Sequence, residues 1–341
     1  AELDRRGGVG ALPDGGIAIG PETTGAGGNG DGDDAPRPVV LLALYGGSTS
    51  SYRHCVLGDC VEGSRLLVVA IEITDGDDGG SGGNPRLATK VDVSLPAGTV
   101  FEGLNPLFFL SSSSTDDDGS SPSPTLLTTV ADVFMGGRLR TYSALTGDVL
   151  AESPYLGWGW RHQLFHADMG PPPRNRGDSA AAAVAAAPPS LPCVADVLTP
   201  HVRKTVEFFD PRALRLVRPG AEVDGSYTTH AIGSRNLDTG FAADMDGDGI
   251  IEAVLPAADG RHLAGLQLRP AESSPSTTGG GGAACPWDGP LEATEAWRVA
   301  LPLSGGGDDG TSGNPAAARD PVDGRPALAA ASGNTVRIWI G

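Results

Sequence analysis

Lysine is almost missing from this chain: Lys90 and Lys204 are the only two among 24 basic residues, against 42 acidic ones, for a formal net charge of −18. Such a surface repels phosphate backbones and anionic headgroups, which excludes nucleic acid and anionic membranes as partners. Divalent cations and basic proteins are the complementary ones. A salt-adapted host or a GC-rich genome would leave the same acidic, lysine-poor composition. Aromatic residues are only 5% of a chain that is 39% hydrophobic, so the core must come mainly from Val, Leu, Ile and Ala. No run of 18 apolar residues exists, which removes any expectation of a helix spanning a membrane. The chain opens on Ala1 without a signal-like apolar run. A removed leader or flanking region is compatible with that, and the compartment stays open.

Cysteine is scarce too. Of Cys55, Cys60, Cys193 and Cys285, none forms a CxxC pair, so a zinc ribbon is excluded. Cys55 and Cys60 in "CVLGDC" are close enough to bridge, and two free buried thiols would fit the spacing equally well. Also absent are GxSxG, a phosphate-binding Walker loop, a dinucleotide fingerprint and any catalytic Cys–His signature. A propeller enzyme that assembles its site from scattered loop residues would escape that search.

What is abundant is Gly and Pro, 51 and 28 residues of 341. Four segments, 23–34, 111–125, 171–190 and 272–284, are low in complexity. They carry neither hydrophobicity nor period and read as loop insertions in a single 341-residue domain. The tripeptide Arg176–Asp178 in one of them is too common a match to signal adhesion.

Between the insertions the chain repeats an apolar strand, a turn, an alternating strand, and often a third. Copies are "TLLTTVADVF–GRLRTYSA–GDVLAES" (Thr125–Ser153), "PCVADVL–RKTVEFFD–ALRLVR" (Pro192–Arg218) and "IIEAVLP–RHLAGLQL–EAWRVAL" (Ile250–Leu301). A shorter one closes the chain, "RPALAAA–NTVRIWI". The leading strands are nearly all apolar, as strands buried on both faces must be. The segments before them also match, with "FAADMDGDGIIEAVL" lying over "AAARDPVDGRPALAA" and "FHADMGPPP". Units of three or four strands at about 45–65 residues predict an all-β fold, a β-propeller of six or seven blades. "GGIAIG" (Gly15–Gly20) is the expected closing strand, paired beside "TVRIWIG".

"GFAADMDGDGIIEAVLP" (Gly240–Pro256) is the chemically richest stretch. Asp244, Asp246 and Asp248 alternate, so a tight turn can aim three carboxylates at one centre, and Gly247 and Gly249 supply the backbone freedom for it. Glu252 follows four residues after Asp248, and the Ile250 carbonyl lies where a backbone ligand is expected. Oxygen donors in that number suit Ca²⁺, which takes six to eight. An EF-hand would need a bidentate Glu at its twelfth position, and Leu255 stands there. An ion-free acidic turn is the plain alternative.

"ADMDGDGIIEAVL" resembles the FG-GAP/VCBS repeat of integrin α-like propellers. Only Asp244–Leu255 matches that pattern in full; the copies at Asp168 and Asp320 are degenerate. The resemblance implies a propeller with Ca²⁺ in its acidic loop and a setting at the cell surface or in the secretory lumen. It implies a protein or glycan partner and membership of a larger assembly.

His162 and His166 are four apart but fall in a segment that reads as a strand, where strand and loop histidines need no metal. Tyr155, Trp158 and Trp160 could stack on sugar rings or fill space between blades. The resulting expectation is a non-enzymatic, Ca²⁺-stabilised interaction or ligand-recognition module. The alternatives are a propeller enzyme, either a polysaccharide lyase or hydrolase or a quinoprotein-like dehydrogenase, and a building block of a filament or coat.

Overall fold

The structure is a computed structural model. It describes residues 17–24, 38–55, 60–74, 84–111, 123–157, 163–169, 193–200, 202–211, 213–216, 226–229, 239–248, 250–270, 291–301, 316–319, 326–332 and 335–340. All its regular elements are strands, as expected, and they form antiparallel meanders. Two compact units divide the chain, residues 1–54 with 60–160 and residues 55–59 with 161–341.

The first unit holds one eight-stranded sheet made of two meanders. The first runs β1 (Ala18–Thr24), β2 (Pro38–Thr49), β3 (Glu62–Thr74) and β4 (Asn84–Ser94). The second runs β5 (Thr99–Ser111), β6 (Ser123–Asp132), β7 (Gly136–Ser143) and β8 (Val149–Glu152). A single pairing, Gly63 with Phe101, joins them. Strand β6 is buried from Pro124 to Ala131, the doubly covered position its apolar sequence predicts. Tyr45 stacks on Phe101 at 5.1 Å, and Tyr142 meets Phe101 edge-on at 6.1 Å, so three of the few aromatics sit together in this core. The β6–β7 turn is tied by Asp132 Oδ1, which accepts from the N–H groups of Phe134 and Met135 at 2.9 and 2.8 Å.

The second unit holds three sheets. One comprises β9 (Gln163–Asp168), β10 (Val194–Leu198), β11 (Thr205–Asp210) and β12 (Arg215–Leu216). The next comprises β13 (Phe241–Ala243), β14 (Glu252–Pro256), β15 (His262–Pro270) and β16 (Leu291–Ala300). The last is β17 (Ala316–Arg319), β18 (Pro326–Ser332) and β19 (Thr335–Ile340). Val197 and Phe208 of the first sheet pack on Leu255 and Leu266 of the second in one buried cluster. Strands β10 and β14 are buried at every residue.

Two expectations change. The leading strand of each later repeat is the second strand of its sheet, because "FHAD" and "FAA" before it are themselves strands, β9 and β13. "GGIAIG" does not close the fold beside β19. Ala18 pairs with Ala43 of β2, and the partner of β19 is β18. The nearer partner along the chain wins, since closing a short loop costs less entropy than closing the whole chain. Five meanders are described, against an expected six or seven. The inner residues of all four insertions lie outside the described residues; at their ends, Thr23, Thr24, Ser111 and 123–125 belong to strands.

One glycine is there for space. Strand β15 shifts register between Gly265 and Leu266, and Gly265 faces Trp297 of β16. A Cβ at Gly265 would sit 2.4 Å from Trp297 Cε2, inside van der Waals contact. Gly265→Ala should therefore lower stability by about 1–3 kcal/mol, the usual scale for an overpacked site. A urea midpoint measures it, and an unchanged midpoint would show that the indole has room to move.

Candidate functional sites

The acidic loop forms as expected, and for local reasons. After β13 the chain turns through three carboxylates, each accepting from a backbone N–H just ahead of it. Gly247 N–H donates to Asp244 Oδ1 at 2.8 Å, Asp248 N–H to Asp246 Oδ1 at 3.1 Å, and Ile250 N–H to Asp248 Oδ1 at 2.9 Å. Gly247 adopts a φ of +78°, which a side chain would resist. Glu252, at the start of β14, is fully buried and accepts from Met245 N–H at 2.7 Å. One oxygen from each of Asp244, Asp246, Asp248 and Glu252 lies within 4.8 Å of the others. Ile250 enters the described network through its N–H.

The sequence reading missed two residues, both on β15. Gln267 Nε2 donates to Glu252 Oε1 at 2.5 Å and to Asp248 Oδ2 at 3.2 Å. Arg269 pairs with Asp248 Oδ2 at 2.5 Å and donates through Nε to Gln267 Oε1 at 2.7 Å. Their alternation on β15 puts both on the side facing the loop, but only the β14–β15 register brings them there. Electrostatics follow from this geometry. Burial, then the charges of Asp246 and Asp244, push Glu252 up to about 7, against the opposing pull of the Met245 and Gln267 hydrogen bonds. Burial and the neighbouring aspartates also raise Asp246. Four converging carboxylates with one arginine leave a surplus of negative charge, and a hard divalent cation with oxygen ligands fits this donor set.

A second acidic pair lies on β10 and β11. Alternation points Ala195 and Val197 into the core shared with β14 and β15, so Asp196 lies on the opposite face of its sheet. There it stands directly across from Glu207. Asp196 is completely buried, and neither carboxylate oxygen has a hydrogen-bond partner among the described residues. Burial, reinforced by the Glu207 charge, holds its pKa well above the usual aspartate range. An aspartate inside the apolar string "PCVADVL" was the available signal, since an unpaired carboxylate is costly in a doubly buried strand.

A third group sits in the first unit. His54 Nδ1 lies 2.5 Å from Glu102 Oε1, both buried, with the Tyr52 ring 5.8 Å edge-on from the imidazole. Burial raises Glu102 more than the contacts with His54 and Tyr52 lower it. The adjacent Cys55 and Cys60 are disulfide-bonded, and Cys193 is buried outside any disulfide.

Among the remaining candidates, His166 falls on β9 in register with Asp196. His162, Trp158, Trp160 and Asp320 lie outside the described residues. Tyr155 is described and is 39% exposed.

No protein-family model matches the chain, and no curated protein does. Among solved structures it is similar to a GH43 β-xylosidase/α-arabinofuranosidase from a compost microbial metagenome, determined with xylotriose in a calcium-free form. The identity is 9% and the TM-score 0.33, over 98% of this chain and 94% of that one. That protein is an enzyme, so what the comparison found runs against the expectation of a non-enzymatic interaction or recognition module. At this TM-score the likeness transfers no residue and no site.

Proposed function

We propose that this chain is a β-propeller built from FG-GAP/VCBS-type repeats that holds Ca²⁺ in the Asp244–Glu252 loop and cleaves polysaccharide. Successive antiparallel meanders with a buried second strand support the propeller. The converging oxygens of Asp244, Asp246, Asp248 and Glu252 support the ion. The disulfide between Cys55 and Cys60 is compatible with an oxidising, extracytoplasmic setting.

The observation that carries the enzymatic part is the Asp196–Glu207 pair. Glycosidic bond hydrolysis needs two carboxyl groups with different protonation states, one to donate a proton and one to act as nucleophile or base. Cross-strand neighbours have Cβ atoms roughly 4.5–5.5 Å apart, close enough for two carboxyls to act on one bond. Here Asp196 is buried with no hydrogen-bond partner among the described residues, and burial together with the Glu207 charge opposes its ionisation. Asp196 is the proposed acid and Glu207 the proposed base or nucleophile.

The test is release of reducing ends, and of unsaturated products for a lyase, from a panel of neutral and uronate-containing polysaccharides with Ca²⁺ present. Turnover by the intact chain and a loss on the order of 10²–10⁴-fold in Glu207→Gln are expected. Turnover unchanged in that variant, or none on any substrate, would overturn the proposal.

A further inference from the structure

Two arginines on one face of β7 share a single acidic partner. Arg138 and Arg140 alternate with Tyr142 along the strand, and their side chains are only 9% and 13% exposed. Oε1 of Glu152, in β8, pairs with Arg140 Nη2 and lies 3.5 Å from Arg138 Nη2. Arg138 lies with its guanidinium 4.0 Å over the ring of Tyr155, and Arg140 Nη1 donates to Tyr142 Oη at 3.0 Å. The Nε–H of each arginine has no acceptor among the described residues. The charge of Arg140 adds to burial in lowering the pKa of Arg138, so the two cations feel one another.

Two guanidinium groups gather beside Glu152, with the charge of Asp132 also felt at Arg138, in a chain of net charge −18. Two Nε donors also lack an acceptor among the described residues. A buried N–H without an acceptor is costly, and a guanidinium stacked on an aromatic ring keeps its edges for a planar, two-oxygen partner. Glu152 already shows where such a group goes. Its side chain is 42% exposed on a four-residue strand at the sheet edge. That exposure gives the Glu152 carboxylate a way into water when another anion takes its place.

We propose that Arg138, Arg140 and Tyr155 bind the carboxylate of an acidic saccharide, a uronate, with Glu152 as the internal stand-in that the ligand displaces. The saccharide half rests on the polysaccharide proposal above; the exposed Tyr155 ring offers a stacking surface beside the two charges. Sulfate offers the guanidinium groups charge and oxygens without a sugar ring, so it serves as the control for anion attraction alone.

Titration calorimetry on the intact chain tests this with trigalacturonate, neutral xylotriose and sodium sulfate at matched ionic strength. Trigalacturonate should bind at least tenfold tighter than xylotriose and sulfate. Glu152→Gln removes the competing carboxylate and should tighten trigalacturonate about tenfold. Arg140→Gln should weaken it at least tenfold, and Arg140→Lys, which keeps the charge but not the fork, should fall between. Melting temperatures of the variants show that each is folded. Weaker binding in Glu152→Gln, equal binding of sulfate, or indifference to Arg140→Gln would overturn the site. Its failure is separable from that of the proposed activity. A chain that cleaves neutral polysaccharide but ignores uronate loses this site; one that cleaves nothing yet binds trigalacturonate through Arg140 keeps it.

Discussion

Calcium should raise the melting temperature of the intact chain, and Asp246→Ala should abolish most of that rise. A ligand bound by the folded state alone, at a hundredfold excess over its Kd, stabilises by ~2.7 kcal/mol. For a chain of this size that is a shift on the order of 5 °C. Asp246 is the useful position because its side chain is exposed and its hydrogen bonding stays within the turn, to Asp248. Losing it removes a ligand without opening the core. Glu252→Gln tests the buried side of the same site. It keeps the shape but trades the carboxylate for an amide, and should cost much of the calcium response while raising stability in chelator. If calcium left the melting temperature of the wild-type chain unchanged, or shifted it equally in Asp246→Ala, the loop would be a hydrogen-bonded turn and nothing more.

The response should also depend on pH, with a sign that follows from Glu252. Its folded-state pKa is raised from 4.5 to about 7. A group raised in this way adds stability that is fully present below its unfolded value and is lost as pH rises through the folded one. In chelator, the Glu252 contribution should therefore fall between about pH 4.5 and about pH 7, by roughly 3 kcal/mol at ~1.36 kcal/mol per unit. Calcium needs the ionised carboxylate and should reverse that loss, so its effect should be larger at pH 8 than at pH 5.5. Melting curves at those two values, with and without calcium, measure both trends. Arg269 sets a limit on the effect, since its ion pair with Asp248 already offsets part of the charge.

The residues readable from the sequence were those whose chemistry is local. Asp244, Asp246, Asp248 and Glu252 lie within one turn and the start of the strand after it, so their convergence needs nothing from elsewhere in the fold. Apolar strings such as "TLLTTVADVF" announced buried strands because burial on both faces leaves little room for polar residues. Gln267 and Arg269 were not readable. They reach the loop only through the pairing of Ala253 with Leu266, a register that no spacing along the chain encodes. The partner of β1 was misjudged for a related reason: an alternating edge strand carries no mark of which neighbour it will take. Asp196 was visible as a carboxylate in an apolar strand, but its meaning depends on Glu207 standing opposite, a second pairing across strands.

That dependence makes Asp196 the site of the second large effect. Asp196→Asn should raise stability and destroy activity together. With its folded-state pKa raised well above 3.8, the wild-type carboxyl contributes stability only while it stays protonated. That contribution is complete below the unfolded value and drains away as pH climbs through the folded one. Asparagine has nearly the same shape and does not titrate. The two proteins should therefore melt alike in strong acid, and the variant should gain as pH rises, by ~1.4 kcal/mol for each unit by which the wild-type pKa is displaced. Asn keeps a polar group unsatisfied in the same place, so any gain must come from charge rather than from packing. The proposed proton donor is lost at the same time, and turnover on the accepted polysaccharide should fall on the order of 10²–10⁴-fold. Opposite changes in stability and turnover would mark a group kept against the interest of the fold. A variant less stable than wild type at pH 8 and equally active would mean instead that Asp196 is a structural residue whose partner lies beyond the hydrogen bonds described.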